Sequence, residues 1–355
     1  MNVVYLINYA GKGGTEKYVR ILVEQALKEG NVFLIYNEEG NLCEEMKQLG
    51  ATTIQLTMRS PFDMKAAKQL AAICKEHNVD VVHAQFAREN ILALLAKKML
   101  PNLCVVFTSH VIIHNNFMWK LVNFVMTREN DAVIALFKEA KQILIKNKYP
   151  AKKIEVVYNG VPYEDSLPKV KNIKEQFVFI SLTRFTEEKG TMFLLDSVAK
   201  LKEIASRPFV VQLVGDGELL EAAKKYAEKI LITDKVQFLG YREDGDALLK
   251  EADIFINSSR SEALSFAILE AMAKGLPVIA TRVGGNIDIM ETGAGLLVDY
   301  NDANQMSYMM KKMMDDSELY VECAEKAVVA AQTTFNLETT IINTIKLYKR
   351  KDVKK

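Results

Sequence analysis

Short apolar runs alternate with longer helical patterns through the first half of the chain. The apolar runs are rich in β-branched residues and contain few polar ones, which is typical of parallel strands buried on both faces. They predict strands at residues 3–7, 32–36, 79–83, 105–108 and 132–136. Helices are predicted at residues 15–28, 61–77, 88–98, 116–128 and 138–147. This alternation predicts an open, doubly wound α/β domain.

A second series of the same kind follows a break in the pattern. Residues 162–168 contain two prolines and two acids, and the charged residues 169–176 come next, which predicts a linker. Strands are predicted at residues 177–182, 210–214, 236–239, 254–257, 278–281 and 295–298. The last helices are predicted at residues 303–315, 317–333 and 337–350. The chain is therefore predicted to contain two α/β domains, and its last helix is long enough to cross back to the first.

Composition and charge narrow the class of protein. At 355 residues the chain exceeds the roughly 100–200 residues of one ordinary domain, which agrees with two domains. Lys and Arg number 46 against 45 Asp and Glu, so no bulk field attracts nucleic acid and any anion must be held locally. Cys43, Cys74, Cys104 and Cys323 are too far apart for a zinc knuckle or a disulfide framework. Because no apolar stretch approaches about 20 residues, we expect a cytoplasmic protein.

Two loops at predicted strand ends could bind an anion, since ligands of open α/β sheets bind at the carboxyl ends of strands. Residues 11–16 place three glycines before a helix, which allows a ligand to approach the backbone and its free N–H groups. A plain tight turn is an equally good interpretation of this loop. Arg184 and Lys189 follow another strand, where they could hold a diphosphate, although basic loop residues are usually only solvated.

The most informative stretch covers residues 259–280. Ser265 is the predicted N-cap of a helix that ends near residue 273. Glu270 is an acid on an otherwise apolar helix, and because burial of an unpaired carboxylate is costly, a pair of ligand hydroxyls would suit it. Glu262 precedes the helix beside its electropositive end. A solvated Glu262 and a structurally paired Glu270 form the alternative interpretation.

Glu262 and Glu270 have the E-x7-E spacing, and a run that ends at Gly284-Gly285 follows them. This stretch resembles the donor-site signature of the retaining glycosyltransferases of the GT-B fold, specifically the large family 4. Further motifs are similar to those of the family and occur in its order: Gly13-Gly14-Thr15-Glu16, Val81-Val82-His83-Ala84, Thr108-Ser109-His110, Val157-Tyr158-Asn159-Gly160-Val161, Arg184 with Lys189-Gly190, and Val214-Gly215-Asp216-Gly217. Jointly these motifs are highly specific.

The resemblance implies two Rossmann-like doubly wound domains that face each other across a cleft, with a C-terminal helix crossing back to the first. It implies an acceptor-binding domain at residues 1–165, a nucleotide-sugar donor domain at 166–335, and a helix with a basic tail at 336–355. The implied reaction is a metal-independent, retaining transfer of a hexosyl group from a UDP- or GDP-sugar. The implied acceptor is a hydroxyl of a sugar or lipid-linked molecule in cell-envelope glycan, polysaccharide or glycolipid synthesis. Neither a cofactor nor nucleic acid is implied.

The resemblance also implies where the donor binds. Arg184 and Lys189 would neutralise its diphosphate, and Glu270 would bind its ribose hydroxyls. Fixed cations and helix N-termini would stabilise the leaving nucleoside diphosphate without a metal ion. The remaining donor-side candidates supply backbone N–H groups to the diphosphate or lie beside the base: Gly13, Gly14, Ser265 and Phe266 for the first role, Gly215 and Arg242 for the second.

The implied catalytic residues are Glu262, which would contact the transferred sugar, and His110, which would lie beside the reacting centre. His83 and Glu16 are candidates on the acceptor side. For His83, a structural role at its strand end is an equally good interpretation.

The chain departs from the family pattern in the donor loop. Glu262-Ala263-Leu264-Ser265 replaces the usual E-G-F-G, so the resemblance does not define the exact sugar pocket. Asp288 stands where the family has a longer acid, which changes the reach of the carboxylate. The alternative functions are another GT-B enzyme, such as a nucleotide-sugar epimerase or a glycan phosphorylase, and a non-catalytic nucleotide-sugar-binding protein. A nicotinamide-dependent enzyme is disfavoured because the chain has no G-x-G-x-x-G motif.

Residues 115–126 are rich in large apolar side chains. A buried crossover helix is the favoured interpretation, because the apolar positions recur at helical spacing. The alternative is a helix that dips into a membrane beside a lipid-linked acceptor. The tail at residues 346–355 has six basic residues against Asp352, which suits either a solvated terminus or weak, reversible association with anionic lipid. A peripheral position at the inner face of the membrane is therefore an alternative to a fully cytoplasmic one.

Overall fold

The computed structural model describes residues 1–111, 115–163 and 176–350. The chain divides into two units. The first comprises Met1–Asn159 together with the residues from Thr340 onward, and the second comprises Gly160–Thr339. Most of the predicted linker and the last five residues of the basic tail lie outside the described residues.

The first unit is built on a parallel seven-stranded sheet. Its strands are β1 (Val3–Tyr9), β2 (Val32–Glu38), β3 (Thr52–Gln55), β4 (Val81–Ala84), β5 (Cys104–Ser109), β6 (Ala132–Ala135) and β7 (Ile154–Val156). Its helices are α1 (Gly14–Ala26), α2 (Asn41–Leu49), α3 (Met64–Glu76), α4 (Ala87–Met99), α5 (Phe117–Met126) and α6 (Lys138–Lys146). The strand order is β3-β2-β1-β4-β5-β6-β7. The predicted strands and helices are present with slightly shifted ends, whereas β3, β7 and α2 are absent from the prediction.

The second unit is built on a parallel six-stranded sheet. Its strands are β8 (Phe177–Leu182), β9 (Phe209–Val214), β10 (Val236–Gly240), β11 (Ile254–Asn257), β12 (Val278–Thr281) and β13 (Gly295–Val298). The helices of this unit are α7 (Thr191–Ile204), α8 (Leu220–Lys229), α9 (Gly245–Glu251), α10 (Phe266–Ala273), α11 (Gly285–Met290), α12 (Ala303–Asp315) and α13 (Ser317–Thr333). The last helix, α14 (Leu337–Tyr348), belongs to the first unit from Thr340 onward. The strand order β10-β9-β8-β11-β12-β13 is the Rossmann order, and all six predicted strands are confirmed.

In both sheets the chain starts at a central strand, extends to one side and then returns to the other. The order reverses between β1 and β4 in the first unit and between β8 and β11 in the second. Loops at the carboxyl ends of these strands diverge, and ligands of open α/β sheets bind in the crevice between them. The loops after β8 and β11 carry Lys189 and Glu262.

Two glycines determine the backbone at the carboxyl edge of the second sheet. Gly190 and Gly215 have positive φ angles of 64° and 138°. A Cβ atom would lie 2.1 Å from Ser258 O at the first position and 1.8 Å from Thr183 O at the second. Because such contacts are far shorter than atoms tolerate, both positions require glycine. Gly190 therefore allows the loop after β8 to contact the end of β11.

Helix α5 is not the buried crossover helix that the sequence favours. Of its ten residues, Asn123 is the buried one, and most of its large apolar side chains are exposed. The apolar positions do recur at helical spacing, but the helix is apolar on both its inner and its outer side. The prediction of a buried crossover helix is therefore wrong for the outer side of α5.

Helix α14 ends in a buried chain of hydrogen bonds in the first unit. Tyr348 Oη donates to Tyr5 Oη at 3.2 Å and lies 2.7 Å from His83 Nδ1. Because the Tyr348 hydroxyl donates its proton to Tyr5, the Tyr348 oxygen accepts a hydrogen bond from His83 Nδ1–H. His83 Nε2 then accepts from Thr108 Oγ1 at 2.7 Å, and Thr108 lies 3.2 Å from Tyr18 Oη. This chain fixes the C-terminal helix to the carboxyl ends of β4 and β5.

We expect Tyr348→Phe to destabilise the first unit by about 1–3 kcal/mol, because it leaves the buried His83 N–H without its partner. Urea unfolding at neutral pH measures the change in unfolding free energy. Tyr308→Phe is the matched control, since Tyr308 is 58% exposed on α12. Equal stabilities for the two variants would contradict the anchoring role of the hydroxyl.

Candidate functional site

Lys189 and Glu262 form an ion pair at the carboxyl edge of the second sheet. Lys189 ends the 3-10 turn Glu187–Lys189, and Glu262 lies between β11 and α10. Lys189 Nζ lies 2.7 Å from Glu262 Oε2, and the two side chains are only 19% and 11% exposed. Ser259 Oγ donates to the same carboxylate oxygen at 3.0 Å. The fold thus brings together two candidates that lie 73 residues apart in the sequence.

The Gly284-Gly285 pair positions the loop that carries Glu262. A Cβ atom at Gly284 would lie 1.8 Å from Glu262 O, and one at Gly285 would lie 2.0 Å from Ala263 O. Gly285 N donates to Ala263 O at 2.7 Å. Only glycine allows the start of α11 to pack so closely against this loop. The motif therefore acts on Glu262 through the backbone.

Helix α10 begins a few residues after Glu262 and carries three further candidates. Ser265 is its N-cap, and within this described helix the serine side chain makes no capping hydrogen bond. Phe266 is the first helical residue, and the half-buried Glu270 lies one turn further on. The partial positive charge of a helix N-terminus attracts anions, so α10 places an anion-binding end and a carboxylate on one rigid element.

The other donor-side candidates of the second unit lie at neighbouring strand ends. Arg184 is exposed two residues after β8. Gly215 directly follows β9, and its N–H donates to Gly240 O at 2.8 Å. Arg242, just beyond β10, is exposed and donates to both carboxylate oxygens of Asp244, from Nε at 2.7 Å and from Nη2 at 2.5 Å. Asp244 therefore fixes the direction of the guanidinium.

The sequence prediction missed the buried polar groups that support this edge. Asn286 Nδ2 donates to Asn257 Oδ1 and to Thr281 O, both at 3.0 Å. Thr281 Oγ1 donates to Ser259 O at 2.6 Å. These bonds connect β11, β12 and α11 beside the Glu262 loop. Their signal in the sequence is a polar residue at the end of an apolar strand, as at Asn257 and Thr281.

His110, in the first unit, is oriented by Gln85, a residue that the sequence motifs do not predict as part of the site. His110 is buried just after β5, and its Nε2 lies 2.9 Å from Gln85 Oε1. Gln85 Nε2 donates to His83 O at 3.1 Å, and this bond fixes the orientation of the amide. Because an amide oxygen only accepts, His110 Nε2 carries the proton. In the neutral ring, Nδ1 is then a hydrogen-bond acceptor.

His83 has a different environment from His110. It is fully buried, and both of its ring nitrogens belong to the hydrogen-bond chain of α14. This arrangement supports the structural interpretation of His83. Its role on the acceptor side stays a prediction.

The glycine loop of the first unit leads into α1 beside an acid. Gly13 is the N-cap and Gly14 the first helical residue. A Cβ atom at Gly13 would lie 2.8 Å from Glu16 Oε2, so this carboxylate lies against the loop. A hydroxyl could donate to Glu16 here, whereas a diphosphate would be repelled by it. The diphosphate role of Gly13 and Gly14 stays a prediction.

A small cavity of about 30 Å³ lies beside His110 in the first unit. Its wall contains the aromatic side chains of Phe86, Phe107 and Tyr149 and the polar side chain of Asn147. A cavity of this volume has room for about one or two water molecules beside His110.

Burial keeps His83 and His110 neutral. Desolvation lowers the pKa of His110 to about 3. Desolvation and the neighbouring His110 lower the pKa of His83 to about 3 as well. Burial also raises the pKa of Tyr18 to about 12. The cluster is therefore uncharged at neutral pH, and His110 acts there as a hydrogen-bonding group and not as a cation.

Among residues 1–111, 115–163 and 176–350, no three His, Cys, Asp or Glu side chains are grouped so that they could hold a metal ion. In the same ranges no helix combines the length and the apolar character needed to cross a membrane. All four cysteines lie in the described part of the chain and are free thiols.

Two Rossmann-like units with polar loops at their carboxyl edges define the GT-B class of fold. Anabaena HepE, solved in complex with UDP, matches this chain with a TM-score of 0.86. The match covers 98% of this chain and 100% of HepE at 18% sequence identity, so it shows the fold.

Family models match both units. The family described as "Glycosyltransferase Family 4" matches residues 12–165, and "Glycosyl transferases group 1" matches residues 163–328. The chain therefore belongs to the family 4-like glycosyltransferases and is a glycosyltransferase.

Named relatives agree with this assignment. An Escherichia coli protein named UDP-Gal:alpha-D-GlcNAc-diphosphoundecaprenol alpha-1,3-galactosyltransferase is 28% identical over 292 residues, which are 75% of each chain. The O-antigen biosynthesis glycosyltransferase WbnH of Escherichia coli is 28% identical over 335 residues, which are 92% of this chain and 94% of WbnH.

We expect the unfolding free energy to fall as the pH drops from 6.5 towards 3, because the unfolded chain binds protons at His83 and His110 that the folded chain excludes. Above pH 6.5 both histidines are neutral in the folded and in the unfolded chain, so their burial destabilises the fold least there. Urea unfolding over this range measures the effect. The unfolding free energy of His110→Gln should fall less than that of the wild type, because the unfolded variant has one histidine fewer to protonate. An identical pH dependence would contradict the neutral, buried state of His110.

Proposed function

We propose that this glycosyltransferase moves a hexosyl group from a UDP-sugar to a hydroxyl acceptor, with retention of configuration and without a metal ion. The Lys189–Glu262 pair at the carboxyl edge of the second sheet carries the proposal. UDP is favoured over GDP because HepE was solved with UDP and with UDP-glucose, and because a relative is named for UDP-Gal.

The ion pair offers both a cation for the diphosphate and a carboxylate for the sugar. A diphosphate competes with Glu262 for the Lys189 ammonium, since phosphate oxygens are strong acceptors of charged hydrogen bonds. Glu262 is then released to accept hydrogen bonds from hydroxyls of the transferred sugar. Arg184, exposed at the same strand end, adds a guanidinium. As the glycosidic bond breaks, negative charge grows on UDP, so these fixed cations stabilise the transition state more than the ground state.

Helix α10 provides the nucleoside contacts in this proposal. Its N-terminus, at Ser265 and Phe266, faces the diphosphate with backbone N–H groups. Glu270 accepts hydrogen bonds from the two ribose hydroxyls, which is a suitable role for a half-buried carboxylate on an apolar helix. Gly215 and Arg242, at the ends of β9 and β10, hold the base.

His110 is proposed to bind the transferred sugar and not to act as the catalytic base. Its Nδ1 is the acceptor in the neutral ring, so it can accept a hydrogen bond from a sugar hydroxyl. In a front-face reaction the acceptor hydroxyl attacks C1 on the side of the leaving group. The bond from C1 to the phosphate oxygen breaks, the bond from C1 to the acceptor oxygen forms, and the departing phosphate takes the proton.

The acceptor is proposed to be a sugar or lipid-linked molecule of the cell envelope. The relatives support this, since one is named for a diphosphoundecaprenol acceptor and another for O-antigen biosynthesis. We also propose that the enzyme is cytoplasmic and acts as a peripheral protein at the inner face of the membrane.

Glu270→Ala should weaken UDP binding at least tenfold, because the variant loses both ribose contacts (about 1.4 kcal/mol for each factor of ten). Calorimetric titration with UDP in a buffer that contains EDTA measures the affinity and tests binding without a metal ion. Glu325→Ala, on the exposed side of α13, is the control and should bind UDP like the wild type. An unchanged affinity of Glu270→Ala would refute the ribose role.

His110→Ala should lose at least about 90% of turnover while it retains UDP affinity, because the ring is proposed to contact only the transferred sugar. This loss is within the typical range for one hydrogen bond to a charged or reacting group. Turnover is measured as the release of UDP from a UDP-sugar that the wild type binds. Calorimetry measures the affinity for UDP. Normal turnover would show that His110 is not beside the reacting sugar.

A further inference from the structure

Helix α5 leaves five large apolar side chains uncovered on one side. The exposed fractions are 82% for Phe117, 74% for Met118, 56% for Leu121, 45% for Phe124 and 60% for Val125. These positions recur at the spacing of a single helical stripe, so they form one continuous surface, the α5 face. Contiguous apolar surfaces of this kind mark sites of interaction in soluble proteins.

The opposite side of α5 is fixed, so the helix cannot rotate to bury the α5 face. Val122 and Met126 pack against the apolar core of the first unit. Asn123 is buried, and its Nδ2 donates to Asn147 O at 2.9 Å. Thr127 Oγ1, directly after the helix, donates to Asn123 O at 2.6 Å.

A neighbouring loop extends the apolar surface. Phe62 is 49% exposed and stacks on Trp119 of α5, with ring centroids 6.2 Å apart and planes inclined by 14°. Met64, at the start of α3, is exposed as well. The helix and this loop together present aromatic and aliphatic side chains of the types that insert at membrane interfaces.

Basic side chains accompany this surface. Lys120 lies within α5, which contains no acidic residue. The Arg128 guanidinium lies 3.9 Å from the ring centroid of Phe124, and Arg59 is exposed three residues before Phe62. Glu129 is the acid that follows Arg128.

The acid next to Phe62 is already engaged within the protein. The Asp63 carboxylate accepts hydrogen bonds from the N–H groups of Arg59, Lys65 and Ala66. These bonds lower the pKa of Asp63, since they stabilise its charged form. Its charge is therefore held at the N-terminus of α3, and the three basic side chains outnumber the two acids, Asp63 and Glu129, by one.

We propose that the α5 face docks on a lipid bilayer that contains anionic headgroups. The helix, about 15 Å long, would lie in the plane of the interface with its outer apolar side chains among the upper acyl chains. Lys120, Arg128 and Arg59 would reach the headgroup phosphates. An exposed apolar stripe with basic neighbours suits the interface of an anionic bilayer. The inference deepens the peripheral location proposed above, but the docking itself requires neither donor nor acceptor.

The test is cosedimentation of the full chain with vesicles, without nucleotide. The wild type should bind vesicles of phosphatidylcholine and phosphatidylglycerol in equal parts, and should bind pure phosphatidylcholine vesicles at least tenfold more weakly. Leu121→Glu should weaken binding to the mixed vesicles at least tenfold. Val329→Glu is the matched control, because Val329 is also 56% exposed on a helix, α13 of the second unit, and it should bind like the wild type.

Two results would overturn the proposal. One is a wild type that stays in the supernatant with mixed vesicles. The other is an equal loss of binding in the two glutamate variants. A dimer that Leu121→Glu converts to a monomer, without vesicle binding by the wild type, would instead assign the α5 face to a second copy of the chain. UDP titration of each variant is separate, so a failure of the transferase proposal is distinguishable from a failure of docking, and retained UDP affinity shows that a variant is folded.

Discussion

All strands of each sheet run in one direction, and this constraint places the chemistry of the chain. Parallel strands end at a common edge, so the loops after β8, β9 and β11 collect there although they are far apart in sequence. The loops can meet only where side chains are absent, which explains glycine at positions 190, 215 and 284. The glycines of the motifs therefore serve mainly to let one backbone pass against another. Because the backbones pack closely there, the charged side chains of Lys189 and Glu262 lie next to each other at this edge.

Charge compensation is the second condition on this edge. Lys189 and Glu262 are both largely buried, and separation of such a pair without replacement would leave an uncompensated charge. A ligand that takes Lys189 must therefore supply negative charge, and one that takes Glu262 must supply hydrogen-bond donors. A nucleotide sugar supplies both, with its diphosphate and its hydroxyls on adjacent parts of one molecule. Under the proposed function, this complementarity would let a chain with almost no net charge bind an anionic donor.

The regular elements were predictable because their signals are local. Long apolar runs such as β8 and β11 have only one suitable environment, between two layers of helices. The edge strands β3 and β7 were missed because they have four and three residues and alternate with polar side chains. The partners of site residues were missed for a different reason. No local pattern pairs Lys189 with Glu262, or Gln85 with His110, because these contacts arise only when the strands assemble. Periodicity also cannot tell whether the second side of an apolar helix such as α5 is covered.

The position of α5 in the chain connects membrane docking to the reaction. The helix begins seven residues after His110, and a segment of that length spans at most about 24 Å when fully extended. Asn115, which lies in this interval, also lines the cavity beside His110. If the α5 face docks on a bilayer, a lipid-linked acceptor can remain anchored while its sugar reaches the neighbourhood of His110. Docking then raises the local concentration of such an acceptor without any added contact to it, whereas a freely diffusing acceptor would gain nothing. The proposed docking of the α5 face would therefore favour the reaction only if the acceptor is linked to a lipid.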